Sequence, residues 1–174
     1  MPANRRPTAD FSVSLPGLLM VLCLLLAGPA AHAEMRLAEN TPTQDLYGQV
    51  DFLADPQGTS SLDEVMRSDA PFHSSLTRRD LSFGYIPGVI WLRLPLLSEA
   101  KHTRTWRLEL SYASLDEVRL YDVGADGIRQ SRSGDTVPYA QRSVGHRNPV
   151  FDIVLQPGER RTLYLRVDSR GSMT

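Results

Sequence analysis

A cluster of polar side chains near the middle of the second half of the chain is well suited to bind a ligand. It contains Asp135, Arg142, His146, Arg147 and Asn148. An arginine guanidinium presents a planar fork of donors that pairs with a carboxylate, and a histidine ring can join the same network. Two interpretations follow: a structural clamp that ties this loop to the rest of the fold, which we favour, or a pocket for an anionic or polyhydroxyl molecule.

Other binding candidates lie on an aromatic segment, where Trp91 and Arg93 alternate with apolar residues. Aromatic rings can stack on sugar rings, although most aromatic side chains in proteins are buried in a core or flank one. We therefore expect a ligand pocket lined by Trp91, Arg93, Arg142, His146 and Arg147.

Acidic residues indicate a metal site more weakly. Asp55, Asp116 and Asp135 are candidate calcium ligands, because Ca²⁺ prefers carboxylate and carbonyl oxygens. The stretch from Asp122 resembles a calcium loop only superficially, since Ser133 stands at the twelfth position, where a bidentate Glu belongs. A hairpin turn explains that stretch better. We expect no cofactor other than calcium.

The sequence contains no motif of a known catalytic centre. It has no His-Glu-x-x-His metal motif, no Walker loop and no Gly-x-Ser-x-Gly elbow. Ser, His and Asp are present, but any chain of this size contains them, so they do not define a triad. We therefore expect this chain not to be an enzyme.

Alternation of apolar and polar residues predicts the elements that position these groups. Residues 89–96, 106–112 and 163–168 alternate with period two, and 118–121 and 150–155 are further strand candidates. Successive side chains of a strand point to opposite faces, so each segment has one face for a core and one for solvent. Pro95 lacks an N–H, which predicts that its strand lies at a sheet edge or is bulged there.

Turn signals separate the predicted strands. Residues 124–127 read Gly-Ala-Asp-Gly, which favours a hairpin turn, and 157–159 read Pro-Gly-Glu. One short helix is predicted over 61–67, with Ser60 or Ser61 as its cap and acidic residues in its first turn. Many short alternating strands with frequent turns predict an all-β sandwich.

The first 33 residues are predicted to be a secretory signal peptide. Arg5 and Arg6 precede a short apolar run over residues 18–27, and Ala31-His32-Ala33 places small residues at −3 and −1 of the cleavage site. The run is about half the roughly 20 residues that cross a bilayer, so a permanent anchor is less favoured. We expect an extended N-terminal segment over 34–44 and a folded domain over 45–172, outside the cytosol.

Length, cysteine content and charge restrict the fold and the class of partner. The 141 residues after the signal segment can bury one real core, and the single cysteine, Cys23, lies before them. Packing alone must therefore stabilise the domain. Because Arg5, Arg6 and Asp10 belong to the signal segment, the rest carries 17 basic and 19 acidic residues. No basic block stands out, which argues against nucleic acid as a partner.

The order of ten short stretches is similar to a known family, the type-two extracellular domain of bacterial seven-transmembrane receptors with diverse intracellular signalling modules. They are FLADPQG at 52–58, SLDEV at 61–65, LSFGY at 81–85, VIWLRL at 89–94, LELSY at 108–112, LDEV at 115–118, GDTVP at 134–138, QR at 141–142, HRNPVF at 146–151 and LYLRV at 163–167. Each stretch alone is weak, but their order and spacing are specific. Residues 86–88, Ile-Pro-Gly, depart from the short polar turn expected there.

The resemblance implies a jelly-roll-like β-sandwich similar to carbohydrate-binding modules, on the periplasmic face of the bacterial inner membrane. It implies that seven membrane helices follow, and that the cytoplasmic output is often a histidine kinase of a two-component system or a diguanylate cyclase that makes cyclic di-GMP. Members of this family are thought to sense small molecules, glycans or calcium. Neither helices nor output lie in these residues, so we expect the chain to stop just before the first membrane helix.

We therefore expect a periplasmic sensor domain that binds a small-molecule, glycan or calcium ligand and biases its own transmembrane helices. A homodimer or a partner receptor is a further expected partner. The first alternative is a free-standing carbohydrate-binding module. The second is a partner-binding or dimerisation module without a small ligand, and a periplasmic hydrolase is the third.

Overall fold

The computed structural model describes residues 34–173 except residues 44, 68, 76 and 77. The predicted signal peptide over 1–33 lies outside the described residues. The strands are β1 Met35–Leu37, β2 Asp51–Asp55, β3 His73–Ser74, β4 Val89–Ser98, β5 Arg104–Glu109, β6 Glu117–Gly124, β7 Gly127–Ser133, β8 Val150–Leu155 and β9 Arg160–Asp168. Helix α1 covers Leu62–Val65, and 3₁₀ turns cover Arg78–Leu81 and Tyr139–Gln141. Among the described residues, no helix is both long enough and apolar enough to cross a membrane.

The strands form a β-sandwich, which confirms the predicted fold class. One sheet has seven strands in the order β3-β2-β4-β9-β6-β7, with β1 paired in parallel to the end of β4. The other sheet contains β5 and β8. The antiparallel pairs are nested, β4 with β9, β5 with β8 and β6 with β7, as they are when one long hairpin rolls up into a jelly-roll-like sandwich.

The space between the two sheets is filled by one apolar cluster. Its members come from alternate positions of β4, β6, β8 and β9, as the period-two pattern predicts. They include Ile90, Leu94, Val118, Leu120, Phe151, Ile153, Leu163 and Leu165. We call the side of the large sheet that faces this cluster the inner face, and the opposite side the outer face.

The outer face of the large sheet is also buried over part of its area. Leu53 of β2, Trp91 of β4 and Tyr164 of β9 form a second cluster with Val65 of α1, and Phe72 packs against it. The sequence pattern predicted a solvent face for each strand. Strand β4 instead buries both faces, because the chain between β2 and β4 folds back over the outer face.

Local sequence explains why α1 forms where it does. The Ser61 hydroxyl accepts a hydrogen bond from the Glu64 N–H, and the Glu64 carboxylate accepts one from the Ser61 N–H. This reciprocal capping box satisfies two backbone donors at the start of the helix. The predicted short helix with Ser61 as its cap is therefore confirmed, although it spans only Leu62–Val65.

The expectation that β4 is an edge strand or is bulged at Pro95 is wrong, because β4 lies inside the large sheet and pairs with β9 in an unbroken register from Val89 to Leu97. On one side Pro95 pairs with Thr162 of β9. On the other side, β2 pairs with β4 only up to Arg93, and β1 begins its pairing at Leu96. Pro95 thus lies opposite the gap between β2 and β1. On that side of β4 no strand needs a hydrogen bond from residue 95, so the missing N–H of proline costs no inter-strand bond there.

The turn after residue 85 takes its shape from Gly88. Its φ is +82°, in the left-handed region, and a Cβ built on it would lie 2.1 Å from the Asp55 carbonyl oxygen. Any side chain at this position would be strained and would overlap the backbone at the end of β2. The Ile-Pro-Gly sequence at residues 86–88, which differs from the short polar turn expected there, therefore affects only the shape of this loop and not the strand order of the sandwich.

Candidate functional site

Trp91 and Arg93, two of the predicted pocket residues, lie on the outer face beneath other side chains. Trp91 is 1% exposed, and its ring stacks on Tyr121 at 5.8 Å between centroids. The Arg93 guanidinium pairs with the Asp51 carboxylate at 3.0 Å and lies 4.2 Å from the centroid of the Phe72 ring. Both side chains are thus part of the packing that closes this half of the outer face.

Arg142 and His146 lie in the loop between β7 and β8. The Arg142 guanidinium donates to the carbonyls of Val137 at 3.0 Å and His146 at 2.9 Å, and it lies 5.5 Å from the centroid of the Tyr139 ring. The His146 Nδ1 accepts a hydrogen bond from the Asn148 N–H. These contacts hold the loop in one shape.

Arg147 is exposed, whereas its neighbour Asn148 connects the loop to the small sheet by donating to the Glu109 carboxylate at the end of β5. The five predicted pocket residues therefore form two groups on different elements, one under α1 and one in the loop over residues 134–149. That they bind a ligand stays a prediction.

The three candidate calcium ligands occupy separate structural roles. The Asp55 carboxylate accepts a hydrogen bond from the Ser60 N–H at 2.8 Å. Burial raises the pKa of Asp55, but hydrogen bonds from Ser60, Thr59 and Gly58 outweigh burial, so this pKa lies below its ordinary value.

Asp116 and Asp135 lie on adjacent segments, because the Asp135 N–H donates to the carbonyl of Leu115. The Asp116 carboxylate accepts a hydrogen bond from the Arg170 N–H at 2.7 Å. Among the described residues, no group of three His, Cys, Asp or Glu side chains could hold a metal ion. Calcium binding stays a prediction.

The calcium-like stretch is a hairpin turn, as expected, with Gly124 paired to Gly127. Its two carboxylates surround an arginine. The Arg161 guanidinium lies 2.7 Å from the Asp126 carboxylate and 3.7 Å from the Asp122 carboxylate, and it also pairs with Glu159 at 2.6 Å. Burial raises the pKa of Asp122, and the charges of Arg161 and Arg129 oppose that rise. The Arg161 guanidinium thus occupies the position between these carboxylates that a metal ion would need.

The sequence did not indicate a row of three arginines on the outer face. Arg132 of β7 pairs across strands with Arg119 of β6, which pairs with Arg166 of β9. We call these three side chains the arginine row. Strand β7 has little apolar alternation, so its existence followed only from the turn before it. The row arises from strand register, which the sequence does not specify.

The arginine row ends beside a cavity of about 370 Å³. The cavity is lined by Gln130, Ser131, Arg132, Gln141 and Ser143. Gln130, Ser131 and Arg132 belong to β7. Gln141 is the last residue of the 3₁₀ turn in the loop over 134–149, and Ser143 follows that turn. The loop of the predicted polar cluster therefore contributes to a cavity, but through side chains that the sequence reading did not select.

Comparison with known proteins places this fold in a family. Residues 47–174 match the model of the family described as 7TMR-DISM extracellular 2, which covers the described chain from the segment before β2 to its end. No curated protein matches the chain. The ten stretches identified in the sequence fall within the matched region, so the resemblance they indicated is confirmed. The chain belongs to the 7TMR-DISM extracellular 2 family, and it is an extracellular sensor domain of a membrane receptor.

Proposed function

We propose that this domain binds a ligand outside the cytosol and passes a conformational bias through its own membrane helices to a cytoplasmic histidine kinase or diguanylate cyclase. Family membership supports the receptor context. The observation that carries the proposal is the attachment of the last described residues to the core of the sandwich.

Met173 holds this attachment. Its carbonyl accepts hydrogen bonds from the N–H groups of Phe83 at 2.7 Å and Gly84 at 3.2 Å, and its own N–H donates to the Gly84 carbonyl at 2.8 Å. Its side chain is 3% exposed and belongs to the apolar cluster between the sheets. The segment at Met173 therefore moves with the sandwich.

A rigid connection of this kind suits a particular mode of signalling. A ligand shifts a receptor between two states only if it binds one of them better. A packed sandwich transmits such a preference by tilting as a body or by changing a contact with another subunit. We propose that the ligand binds at the loop over residues 134–149, with His146 and Arg147. In this proposal Trp91 and Arg93 stabilise the sheet that carries the loop. Glycans, amino acids and calcium are the ligand classes to screen.

Two matched substitutions in the full-length receptor test the coupling. Met173 and Met35 are both buried in the same apolar cluster, but only the Met173 side chain packs the last described segment against that cluster. Met173→Ala keeps the backbone hydrogen bonds to Phe83 and Gly84 and removes this side-chain anchor. We expect Met173→Ala to change the basal kinase or cyclase output at least threefold, and Met35→Ala to leave it within the spread of the wild type. Equal outputs from the two variants, with both domains folded by circular dichroism, would contradict the proposal.

A second function is association through the edge of the large sheet. Strand β7 is seven residues long and lies at the edge, and Ile128 on it is 49% exposed. The Ser143 N–H bonds to the Arg132 carbonyl on this edge, and the rest of the edge is a template for pairing with another chain. Light scattering on the purified protein checks this: a dimer that Ile128→Lys dissociates would support the function, and a monomer at high micromolar concentration would oppose it.

A further inference from the structure

The cavity at the edge of β7 has an unusual lining for a pocket. All five lining residues are polar, one is an arginine and none is an acid. Glutamine amides and serine hydroxyls both donate and accept hydrogen bonds, whereas a guanidinium only donates and is always charged. Such a set favours an anion that also carries hydroxyl groups.

The wall of the cavity is held in place before any ligand arrives. The Ser143 N–H donates to the Arg132 carbonyl at 3.1 Å, which fixes the loop against β7. The Arg132 guanidinium donates to the Gln141 side-chain oxygen. Arg142 fixes the same loop from the other side by donating to two of its carbonyls. A site whose groups are already ordered loses less entropy when a ligand binds.

The arginine row explains why an anion is favoured at this position. Like charges directly opposite each other on neighbouring strands destabilise a sheet. Arg119 pairs with Glu117, and Arg166 pairs with Asp168 at 2.9 Å, so two members of the row are neutralised. Arg132 instead contacts the neutral amide of Gln141. The positive charge at the Arg132 end of the row is therefore the one that an external anion would neutralise.

We propose that this cavity binds a small hydroxylated oxyanion, with its carboxylate or phosphate on Arg132 and its hydroxyl groups on Gln130, Gln141 and the serines. The assignment rests on the proposed sensor function, since it names the ligand class for that function. The site is an open cleft of about 370 Å³, at the low end of the roughly 300–1,000 Å³ of small-molecule sites, so we expect it to hold a small ligand that stays partly exposed to solvent.

Titration calorimetry on the purified protein, at low ionic strength, tests the assignment with three probes. Glucuronate supplies a carboxylate with hydroxyl groups, glucose 6-phosphate supplies a phosphate, and glucose is the neutral control. We expect at least one anion to bind at least tenfold more tightly than glucose, and the stronger anion identifies the preferred oxyanion. Raising the salt concentration should weaken that binding, because the charge on Arg132 is exposed.

Two arginine variants locate the site. Arg132→Gln keeps hydrogen-bonding groups but removes the charge, and we expect it to weaken binding of the preferred anion at least tenfold. Arg107→Gln removes an arginine of the small sheet whose side chain is 64% exposed and which does not line the cavity, and we expect it to change binding less than twofold. Thermal unfolding of both variants confirms that each is folded.

Several results would overturn the assignment: no binding of either anion by calorimetry and thermal shift, equal affinity for glucose, unchanged binding in Arg132→Gln, or an equal loss in Arg107→Gln. Failure of this kind is distinguishable from failure of the sensor proposal. If these anions do not bind but Met173→Ala still alters receptor output, the ligand class is wrong and the coupling stands. If the anions bind but Met173→Ala and Met35→Ala give the same receptor output, the ligand class stands and the proposed coupling through Met173 is wrong.

Discussion

The two halves of the outer face differ in what covers them. Over β2, β4 and the adjoining part of β9, the segment with α1 and Phe72 buries Leu53, Trp91 and Tyr164. The same face is open over β7, and β6 lies at the boundary because its Tyr121 and Val123 pack against the covered cluster. The arginine row crosses this boundary: the side chain of Arg166 is 18% exposed, that of Arg119 is 41% exposed, and Arg132 is exposed.

This difference separates stability from recognition within one sheet. In the covered half, the charged Arg93 and Asp51 side chains are paired inside the protein. In the open half, charge and hydrogen-bonding groups face solvent beside a cavity. Substitutions in the covered half should therefore cost folding free energy, and those in the open half should affect binding.

The largest expected effect is that of Trp91→Ala. Trp91 is 1% exposed and stacks on Tyr121, so truncation leaves a cavity in the covered half. We expect the free energy of unfolding to fall by about 3–5 kcal/mol, measured by urea denaturation. Trp91→Phe, which retains a ring, should lose clearly less. A loss below about 1 kcal/mol for Trp91→Ala would show that this half is not a true core.

The next effect comes from a comparison of two ion pairs. Arg93 and Asp51 have side chains 11% and 8% exposed, whereas Arg107 and Asp152 on the small sheet are 64% and 38% exposed. Removing one partner of a buried pair costs about 3–5 kcal/mol, because the other buried charge loses its countercharge. An exposed pair contributes about 0–1 kcal/mol. Arg93→Met should therefore destabilise several times more than Arg107→Met, and equal losses would contradict the assignment of a covered half.

Much of the fold could be predicted from the sequence because its information is local. Alternation at residues 89–96 and 163–168 predicted β4 and β9, and Ser61 predicted the start of α1. Strand β7 was indicated only by the hairpin turn before it, since its residues are mostly polar and exposed. It is specified by the turn before it and by its pairing with β6, which is a non-local property.

The candidate site could be predicted only in part, for a related reason. The loop over residues 134–149 was identified from its charged residues, and it does border a cavity. The residues that line the cavity come from two segments whose contact depends on the Ser143–Arg132 hydrogen bond. Trp91 and Arg93 were selected for their chemistry, but residue type does not show that α1 and Phe72 cover them.

A smaller effect, with a defined pH dependence, is expected for Asp55→Asn. The Asp55 carboxylate is buried at the turn that leads from β2 to α1, and its pKa lies below the ordinary value of 3.8. A carboxylate with a lowered pKa stabilises the fold above its unfolded pKa, and this contribution is lost as the pH falls through the folded value. At pH 7 the variant should be less stable by about 1–2 kcal/mol.

Denaturant unfolding of Asp55→Asn and the wild type between pH 7 and pH 2.5 measures this. The difference between the two proteins should stay constant down to about pH 4 and then narrow. Asp69→Asn, at an exposed acid on the far side of α1, should change stability by less than about 0.5 kcal/mol. A difference for Asp55→Asn that widened in acid would contradict the direction of its pKa shift.

The smallest expected effect on folding is that of Arg132→Gln, at the open end of the arginine row. Its side chain lies at an exposed edge and contacts only a neutral amide among the described residues, so its loss should change the free energy of unfolding by less than about 0.5 kcal/mol. Arg166→Gln is the matched variant at the covered end, where the guanidinium donates to Asp168 and to the Gly58 carbonyl. It should cost about 1 kcal/mol or more. The two arginines share one row and one face of the sheet. If Arg166→Gln lowers the free energy of unfolding more than Arg132→Gln does, while Arg132→Gln loses more anion binding, then coverage by the α1 segment and not residue type divides the two roles. Equal losses of folding free energy in the two variants would contradict that division.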